Sequence, residues 1–202
     1  YCWFGSNTYP KKIKRCIESW HKFLPDYEFK LWNENNFNID SCCQYVKDAY
    51  KQQKYAFVSD YVRLYALYEY GGIYLDTDIE LIKVIPTDIL NHNLIFSLDD
   101  YGYIAGSFIA STPKNNFVNI LLDYYNKLSF YKDNGELNLE VNNTYIQQKL
   151  IEHGYKYEKD NKRQNLEDGI TLYPDDYFHC RSLTTGKLNI TYNSIAIHWH
   201  SI

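Results

Sequence analysis

Residues 55–80, with the sequence YAFVSDYVRLYALYEYGGIYLDTDIE, decide the fold of this chain. The first part of the stretch is apolar on nearly every side of a helix, and such a helix is expected to be buried. Gly71 and Gly72 supply the left-handed conformation that ends a helix. The apolar run at residues 73–75 then predicts a core strand. The stretch therefore predicts a buried helix that leads directly into a buried strand.

Two pairs of charged residues interrupt this apolar stretch. Asp60 and Arg63 are three positions apart and therefore lie on one side of the helix. A buried charge must be paired or used, so the pair is either a structural ion pair or a binding site for hydroxyl and phosphate oxygens. Asp76 and Asp78 follow the strand, and strand alternation predicts that they point the same way. Two carboxylates side by side repel each other unless a cation or a shared proton relieves the repulsion. Because their ligand atoms are oxygens, the cation expected here is Mg²⁺ or Mn²⁺.

Composition limits the class of protein. The 202 residues are 45% hydrophobic and 23% charged, which is typical of a globular protein, and we expect residues 1–202 to form a single domain. The net charge of −4 argues against nucleic-acid binding. No apolar run approaches the roughly 18 residues of a membrane span. The five cysteines are odd in number and lack paired spacing or a CxxC motif, which favours reduced thiols in the cytoplasm over disulfides or a zinc site.

Strands and helices alternate along the whole chain. This order predicts an α/β fold with a mainly parallel central sheet flanked by helices. The expected strands cover residues 27–32, 73–75 continuing through 79–82, 94–96, 103–109, 170–173, 188–192 and 194–199. The expected helices cover residues 10–24, 41–52, 55–70, 112–128 and 141–153. In such sheets, ligands bind beyond the carboxyl ends of the strands, where Asp76 and Asp78 are expected.

Three further positions are candidates for binding. Trp3 lies in the opening YCWFG segment, at an expected strand end, and could stack on a flat ring such as a nucleotide base, or belong to the core. Gly106 lies inside an expected strand and indicates either close approach by a ligand or a β-bulge. His198 lies in the last expected strand, where it is either structural or a third metal ligand. An imidazole would shift the preference toward Mn²⁺.

The spacing S-D-x-x-R-x-x-x-L-x-x-x-G-G-I-Y-L-D-T-D at residues 59–78 resembles the signature of glycosyltransferase family 32, the sugar transferases with a DXD-containing sugar-binding region. The opening YCWFG and the later Pro-Lys-Lys-Ile at residues 10–13 are similar to the start of its bacterial members, and the large clostridial toxins share a similar core. The resemblance implies a Rossmann-like GT-A fold. It also implies retaining transfer of a hexose from a nucleotide-sugar, with a UDP-sugar favoured, to a glycan or lipid-linked saccharide in bacterial surface or capsular polysaccharide synthesis.

The resemblance also implies roles for individual residues in holding the donor. Trp3 would stack on the base, with uracil favoured. Asp60 and Arg63 would hold the donor sugar, and Thr77 would belong to the donor-binding set.

No nucleic acid is expected as a partner. The expected location is the cytoplasm, with peripheral association at the inner face of a membrane not encoded in this segment.

The implied metal site uses the two aspartates and the distant histidine. Asp78 would be the principal ligand of Mn²⁺ or Mg²⁺ through the diphosphate. Asp76 would reach ribose or sugar hydroxyls and assist the metal, and it is counted with Asp60, Arg63 and Asp78 as catalytic. His198 would occupy the C-terminal metal- or phosphate-binding position of the family.

Both ends of the chain depart from the family pattern. The chain contains no methionine and opens on a motif, so trimming at both ends is expected. The strand that usually precedes the opening segment is missing. The Ser-Trp that usually follows the terminal histidine is expected to be missing or altered, since the sequence reads Ser201-Ile202 at this place.

Two mechanisms and two other functions stay open at this point. Retention can proceed through a carboxylate nucleophile, for which Asp60, Asp99 and Asp100 are candidates, or by front-side attack, which we favour. The alternatives to a transferase are a catalytically degenerate nucleotide-sugar-binding module and, less favoured, a haloacid-dehalogenase-like phosphohydrolase. The phosphohydrolase would use Asp175 and Asp176 as its further acidic pair.

Overall fold

The computed structural model of the protein describes residues 1–157 and 162–200. Its helices are α1 Lys11–Phe23, α2 Gln44–Lys51, α3 Tyr55–Tyr70, α4 Asn116–Tyr125, α5 Asn142–Glu152 and α6 Asp175–Phe178. Its strands are β1 Gly72–Leu75, β2 Ile79–Leu81, β3 Leu94–Leu98, β4 Ile104–Ser111, β5 Gln164–Asn165, β6 Ile170–Tyr173 and β7 Ala196–His198. The expectations for Ser201 and Ile202 lie outside the described residues. Within the described ranges, no helix has the length and apolar character needed to span a membrane.

A five-stranded sheet in the order β1-β4-β3-β6-β5 runs through the protein, and β2 and β7 form a separate two-stranded ribbon. Only β3 and β6 pair in parallel among the described strands, whereas β1–β4, β3–β4 and β5–β6 are antiparallel. The α/β class is confirmed, but the sheet is mixed rather than mainly parallel. A short turn at residues 99–103 joins β3 to β4, and so short a connection can join only antiparallel strands.

Apolar side chains cover both faces of the sheet because successive side chains of a strand point to opposite sides. On β3, Phe96 packs into a cluster with side chains of α2, α3, α4 and α5. Its neighbour Ile95 packs on the other face, with side chains of α1, α6, β2 and β7. The sheet is therefore sandwiched between two apolar layers, and α3 lies in the first of them.

The central helix has the predicted bounds, since α3 begins at Tyr55 and ends at Tyr70. Gly71 follows with a φ of 66°, a conformation that residues with side chains rarely adopt. A Cβ at Gly71 would lie 2.7 Å from the backbone nitrogen of Pro113. Glycine is therefore required here by backbone conformation and by space, and the end of α3 is encoded locally.

Two predicted strands are wrong. Residues 27–32 contribute a single bridge, between Trp32 and Cys2, and residues 188–192 contribute one between Leu188 and Arg181. Both segments have side chains that alternate in polarity. A strand also needs a partner along its whole length, which alternation within one segment does not reveal.

Asp76 and Asp78 lie in a turn between β1 and β2 and not in one continuous strand. The Ile79 N–H donates to the Asp76 carbonyl at 3.0 Å, which closes the turn. β2 then leaves the central sheet and pairs with β7, so that Ile79 lies opposite His198. The expected closeness of the two aspartates thus comes from a turn rather than from strand alternation, and the ribbon adds the histidine.

Candidate active site

A cavity of about 270 Å³ opens where α3, α5, β4 and the turn after β1 meet. Its lining residues are Ala56, Phe57, Asp60, Arg63, Asp76, Asp99, Ile104, Ala105, Gly106, Ser107, Val141, Asn142, Asn143, His179, Leu183, His198 and His200. A larger cavity of about 500 Å³ is lined in part by β1 and the end of α3, and it contains none of the predicted site residues. The smaller cavity is therefore the candidate active site.

Arg63 links the helix to the turn after β1. Its Nη2 atom is 3.0 Å from Asp60 Oδ1 and 3.3 Å from Asp76 Oδ1. Its Nη1 atom donates to the carbonyl of Gly106 at 2.6 Å, and its Nε donates to the carbonyl of Ser59 at 3.3 Å. Arg63 is only 7% exposed. The structure thus supports the ion-pair alternative for Asp60 and Arg63, and it adds Asp76 to the pair.

Burial determines the ionisation of Asp60. Loss of solvent raises the pKa of its carboxyl to about 6, the nearby Arg63 guanidinium opposes this change, and the Asp76 carboxylate reinforces it. Asp60 is therefore a carboxylate at neutral pH that takes up a proton in mildly acidic solution.

Gly106 is required at this site because two side chains approach its backbone. A Cβ at this position would lie 2.9 Å from Arg63 Nη1 and 2.9 Å from Asn143 Oδ1. The register between β3 and β4 also shifts after Phe96, which leaves the Gly106 segment bulged. The β-bulge that the glycine suggested is thus present, and the groups that approach its backbone are side chains of the protein. Close approach by a ligand stays a prediction.

Asp76, Asp78 and His198 converge at one side of the cavity. Each offers one ligand atom, and these atoms lie within 4.8 Å of one another. His198 Nε2 is 3.2 Å from Asp78 Oδ1. The Asp78 side chain is 5% exposed and that of Asp76 is 28% exposed. Two carboxylates and an imidazole suit Mn²⁺ or Mg²⁺, so the residues fit the expected cation. Asp78 is the buried carboxylate of the three residues, and Asp76 is the carboxylate that faces the cavity.

Tyr74 holds the carboxylate of Asp76 in place. Its hydroxyl donates to Asp76 Oδ1 at 2.7 Å. Burial raises the pKa of Tyr74 well above its ordinary value, so the hydroxyl keeps its proton. Tyr74 and Arg63 both contact the same oxygen, and together they fix the orientation of Asp76.

His179 is a site residue that the sequence did not reveal. It follows α6, is 2% exposed and lies with its Nδ1 atom 3.3 Å from Nδ1 of His198. Burial lowers the pKa of His179 well below its ordinary value, and His198 and His200 act in the same direction. No motif marks a histidine at this distance from the aspartates. Only the fold places it beside His198.

The structure does not bring every predicted residue into the cavity. Trp3 is absent from the lining and packs against Tyr9, with ring centroids 5.0 Å apart. Its indole N–H is buried without an acceptor among the described residues. Thr77 is buried within the turn. Base stacking by Trp3 and donor contact by Thr77 stay predictions.

The other acidic residues have structural partners. Asp99 lines the cavity, but its carboxylate accepts from the N–H groups of Tyr101 and Tyr103 in the turn after β3. Asp176 accepts from Thr191 and Asn193, and neither Asp175 nor Asp176 lines the cavity. The acidic pair of the phosphohydrolase alternative therefore lies outside this site.

Comparisons with known proteins find similarity to glycosyltransferases. Residues 10–96 match the family described as the glycosyltransferase sugar-binding region containing a DXD motif. Inositol phosphoceramide mannosyltransferase 3 of Schizosaccharomyces pombe is 32% identical over 77 residues, which cover 37% of this chain and 22% of that protein. The solved structure of PaToxG glycosyltransferase has a TM-score of 0.48 and 22% identity, over 60% of this chain and 56% of that chain.

The match to the DXD region includes α3 and both aspartates. The first half of the chain is thus glycosyltransferase-like and contains a DXD sugar-binding region. The chain spans about a fifth of the length of the curated relative and just over half of the solved one.

Proposed function

We propose that this chain is the catalytic region of a metal-dependent, retaining glycosyltransferase of the family 32 type. It moves a hexose from a nucleotide-sugar, with a UDP-sugar favoured, to a glycan or lipid-linked saccharide in surface polysaccharide synthesis. The observation that carries the proposal is the convergence of Asp76, Asp78 and His198 beside the Asp60–Arg63 pair. The name of the fission-yeast relative, a mannosyltransferase acting on inositol phosphoceramide, supports a hexose and a lipid-linked acceptor.

The metal centre consists of Asp78, His198 and Asp76. These residues would hold Mn²⁺ or Mg²⁺, which when bound neutralises the diphosphate of the donor and of the leaving group. Asp78 and His198 form the buried side of this metal centre, where His198 Nε2 lies 3.2 Å from Asp78 Oδ1. Asp76 keeps part of its carboxylate exposed and can accept a hydrogen bond from a ribose or sugar hydroxyl.

The donor sugar lies against α3 in this proposal. Asp60 accepts hydrogen bonds from sugar hydroxyls as a carboxylate. Arg63 holds Asp60 and Asp76 at a fixed separation, because its fork contacts both carboxylates and the Gly106 carbonyl. Trp3 stacks on the base, and Thr77 shapes the turn beside the diphosphate.

Front-side attack is the mechanism that these contacts favour. The acceptor hydroxyl oxygen forms a bond to the anomeric carbon while the bond from that carbon to the diphosphate oxygen breaks. The bonding electron pair leaves with the diphosphate, and a diphosphate oxygen takes the proton of the acceptor hydroxyl. Asp60 is paired with Arg63 and Asp99 accepts two backbone N–H groups, so each has a positioning role rather than that of a nucleophile.

We place the reaction in the cytoplasm or at the inner face of a membrane. The odd number of cysteines and their lack of paired spacing are typical of reduced thiols. Nucleotide-sugar donors and a negatively charged protein without a nucleic-acid footprint are compatible with this location.

A donor screen tests the proposal. The protein is incubated with Mn²⁺ and UDP-glucose, UDP-galactose, UDP-N-acetylhexosamines or GDP-mannose, and release of nucleoside diphosphate is measured. We expect one donor to be turned over, and Asp78→Asn to lower the rate by at least about 100-fold. Asp123→Asn, an exposed aspartate on α4, is the control and should leave the rate unchanged.

Two results would contradict a transferase. Metal-dependent binding of a nucleotide-sugar without release of nucleoside diphosphate would establish a degenerate binding module. Hydrolysis of a simple phosphate monoester, with no turnover of any nucleotide-sugar, would favour the phosphohydrolase.

A further inference from the structure

A chain of hydrogen-bonding groups runs from the candidate metal centre into the core of the protein. The two ring nitrogens of His198 face opposite ways, since Nε2 is 3.2 Å from Asp78 Oδ1 and Nδ1 is 3.3 Å from Nδ1 of His179. A metal held by the carboxylates would therefore meet His198 at Nε2. For that nitrogen to bind a cation, its lone pair must be free and the proton of the neutral ring must lie on Nδ1.

The other nitrogen of His179 contacts two serine hydroxyls. Its Nε2 atom is 2.9 Å from Ser97 Oγ and 3.0 Å from Ser107 Oγ. The Ser97 hydroxyl has one proton to donate. Its Oγ atom lies 3.3 Å from the carbonyl oxygen of Ala105 and 3.4 Å from that of Phe108. With its proton directed to one of those carbonyls, Ser97 accepts a hydrogen bond at its contact with the ring, which assigns Nε2 of His179 as the donor. The Ser107 hydroxyl, 3.0 Å from the same nitrogen, then accepts from that N–H as well.

This proton count determines the remaining contacts. A neutral imidazole that is protonated at Nε2 has an acceptor at Nδ1. His179 Nδ1 therefore accepts from Nδ1–H of His198, and the lone pair of His198 Nε2 is left facing Asp76 and Asp78. His179 is 2% exposed and each of its nitrogens has a protein partner, so its ring is held in this orientation.

We infer that His179 is a positioning residue of the metal centre, which accepts the Nδ1 proton of His198 and so presents Nε2 of His198 to a divalent cation. The inference rests on the proposed metal-dependent function and names the residue that prepares its third ligand. Groups that orient a metal-binding histidine in this way commonly change metal affinity about 10- to 100-fold when they are replaced.

Two substitutions separate the contact with His198 from the contact with the serines. Asparagine at this position carries an amide oxygen near the place of Nδ1, whereas glutamine carries its amide near the place of Nε2. We expect His179→Asn to keep the affinity for Mn²⁺ within about 3-fold of wild type, and His179→Gln to lower it about 10- to 100-fold. Isothermal titration with MnCl₂ measures the affinity, and melting of the metal-free proteins reports on folding.

The outcomes distinguish this inference from the proposed function. If the wild-type protein binds no Mn²⁺, with or without a nucleoside diphosphate, the proposed metal centre itself is wrong. If wild type binds but His179→Gln binds as tightly, or if both variants lose affinity equally, His179 does not act through the Nδ1 contact.

A spectroscopic measurement on the wild-type protein avoids dependence on the variants. Long-range ¹H–¹⁵N spectra of histidine-labelled protein with Mg²⁺ report which ring nitrogens carry protons. We expect a proton on Nε2 of His179 and on Nδ1 of His198. The reverse assignment for His179 would overturn the inference.

Discussion

At the scale of single residues, Arg63 connects the parts of the site. One guanidinium contacts a carboxylate of α3, a carboxylate of the turn after β1 and a carbonyl of β4. Removal of one partner from a buried ionic network leaves uncompensated charge, which costs more than loss of an exposed ion pair.

Arg63→Met is therefore expected to lower the free energy of unfolding by about 3–5 kcal/mol. The matched control is Arg15→Met. Arg15 pairs with Glu80, but its side chain is 62% exposed, so its loss should cost less than about 1 kcal/mol. Urea denaturation at neutral pH measures both. Equal losses in the two variants would show that Arg63 is not a central structural contact.

Asp60 gives the site a pH dependence. Because burial raises the pKa of Asp60 to about 6, the group is ionised above that pH and loses its charge below it. Donor affinity should therefore fall as the pH drops through about 6, since a neutral carboxyl accepts sugar hydroxyls less well. Titration of donor binding between about pH 5 and 8 measures this. Asp60→Asn should bind the donor more weakly and lack the inflection, and an unchanged inflection in that variant would assign it to another group.

At the scale of elements, α3 could be predicted from the sequence and the ribbon could not. The bounds of α3 follow from local signals, namely an apolar helical run and Gly71 at a positive φ. The pairing of β2 with β7 joins residues more than a hundred positions apart. No local pattern contains that register, so the residues alone left His198 as either structural or a third metal ligand, and the resemblance favoured the ligand.

The start of α4 shows a smaller error of the same kind. The sequence predicted a helix over residues 112–128, but β4 extends through Ser111 and α4 begins at Asn116. Asn115 caps the helix instead, since its Oδ1 accepts from the N–H groups of Phe117 and Val118 at 2.9 and 3.3 Å. The strand continued because its residues pair with β1 and β3, which outweighs a local capping preference.

Asn115→Ala should accordingly lower the free energy of unfolding by about 1 kcal/mol, because two helix N–H groups lose their acceptor. Asn115→Asp keeps an acceptor oxygen in place and serves as the control, with a change of at most a few tenths of a kcal/mol expected. Thermal or urea denaturation compares the two. If Asn115→Ala left the free energy of unfolding unchanged, Asn115 would not be the cap of α4.

At the scale of the whole molecule, the candidate site joins segments that lie between Ala56 and His200. α3, the turn after β1, β4, α5, the segment after α6 and β7 each contribute a wall or a ligand. The sequence named Asp60, Arg63, Asp76, Asp78 and His198 as candidates, and the structure brings these five together, whereas Trp3 and Thr77 lie outside the cavity lining. It missed His179, Ser107 and Asn143, because their place depends on how β4, α5 and α6 pack and no short motif surrounds them.

A cation that binds only the folded protein should stabilise all of it. Mn²⁺ at 100 times its dissociation constant adds about 2.7 kcal/mol, which for a chain of this size raises the melting temperature by roughly 5–10 °C. Asp78→Asn should melt at a temperature independent of Mn²⁺. A similar rise in that variant would mean that the ion binds at another place.

The central claim is that the aspartate turn, His198 and the α3 pair form one site for a cation and a nucleotide-sugar. Anomalous diffraction at the manganese edge, from crystals grown with MnCl₂ and UDP, tests it most directly. We predict one strong peak within about 2.0–2.5 Å of Asp78, His198 or Asp76 oxygens and nitrogens, with the diphosphate bound to the same ion and the base against Trp3. A peak remote from these residues, or UDP bound away from the cavity of Asp60 and Arg63, would contradict the account.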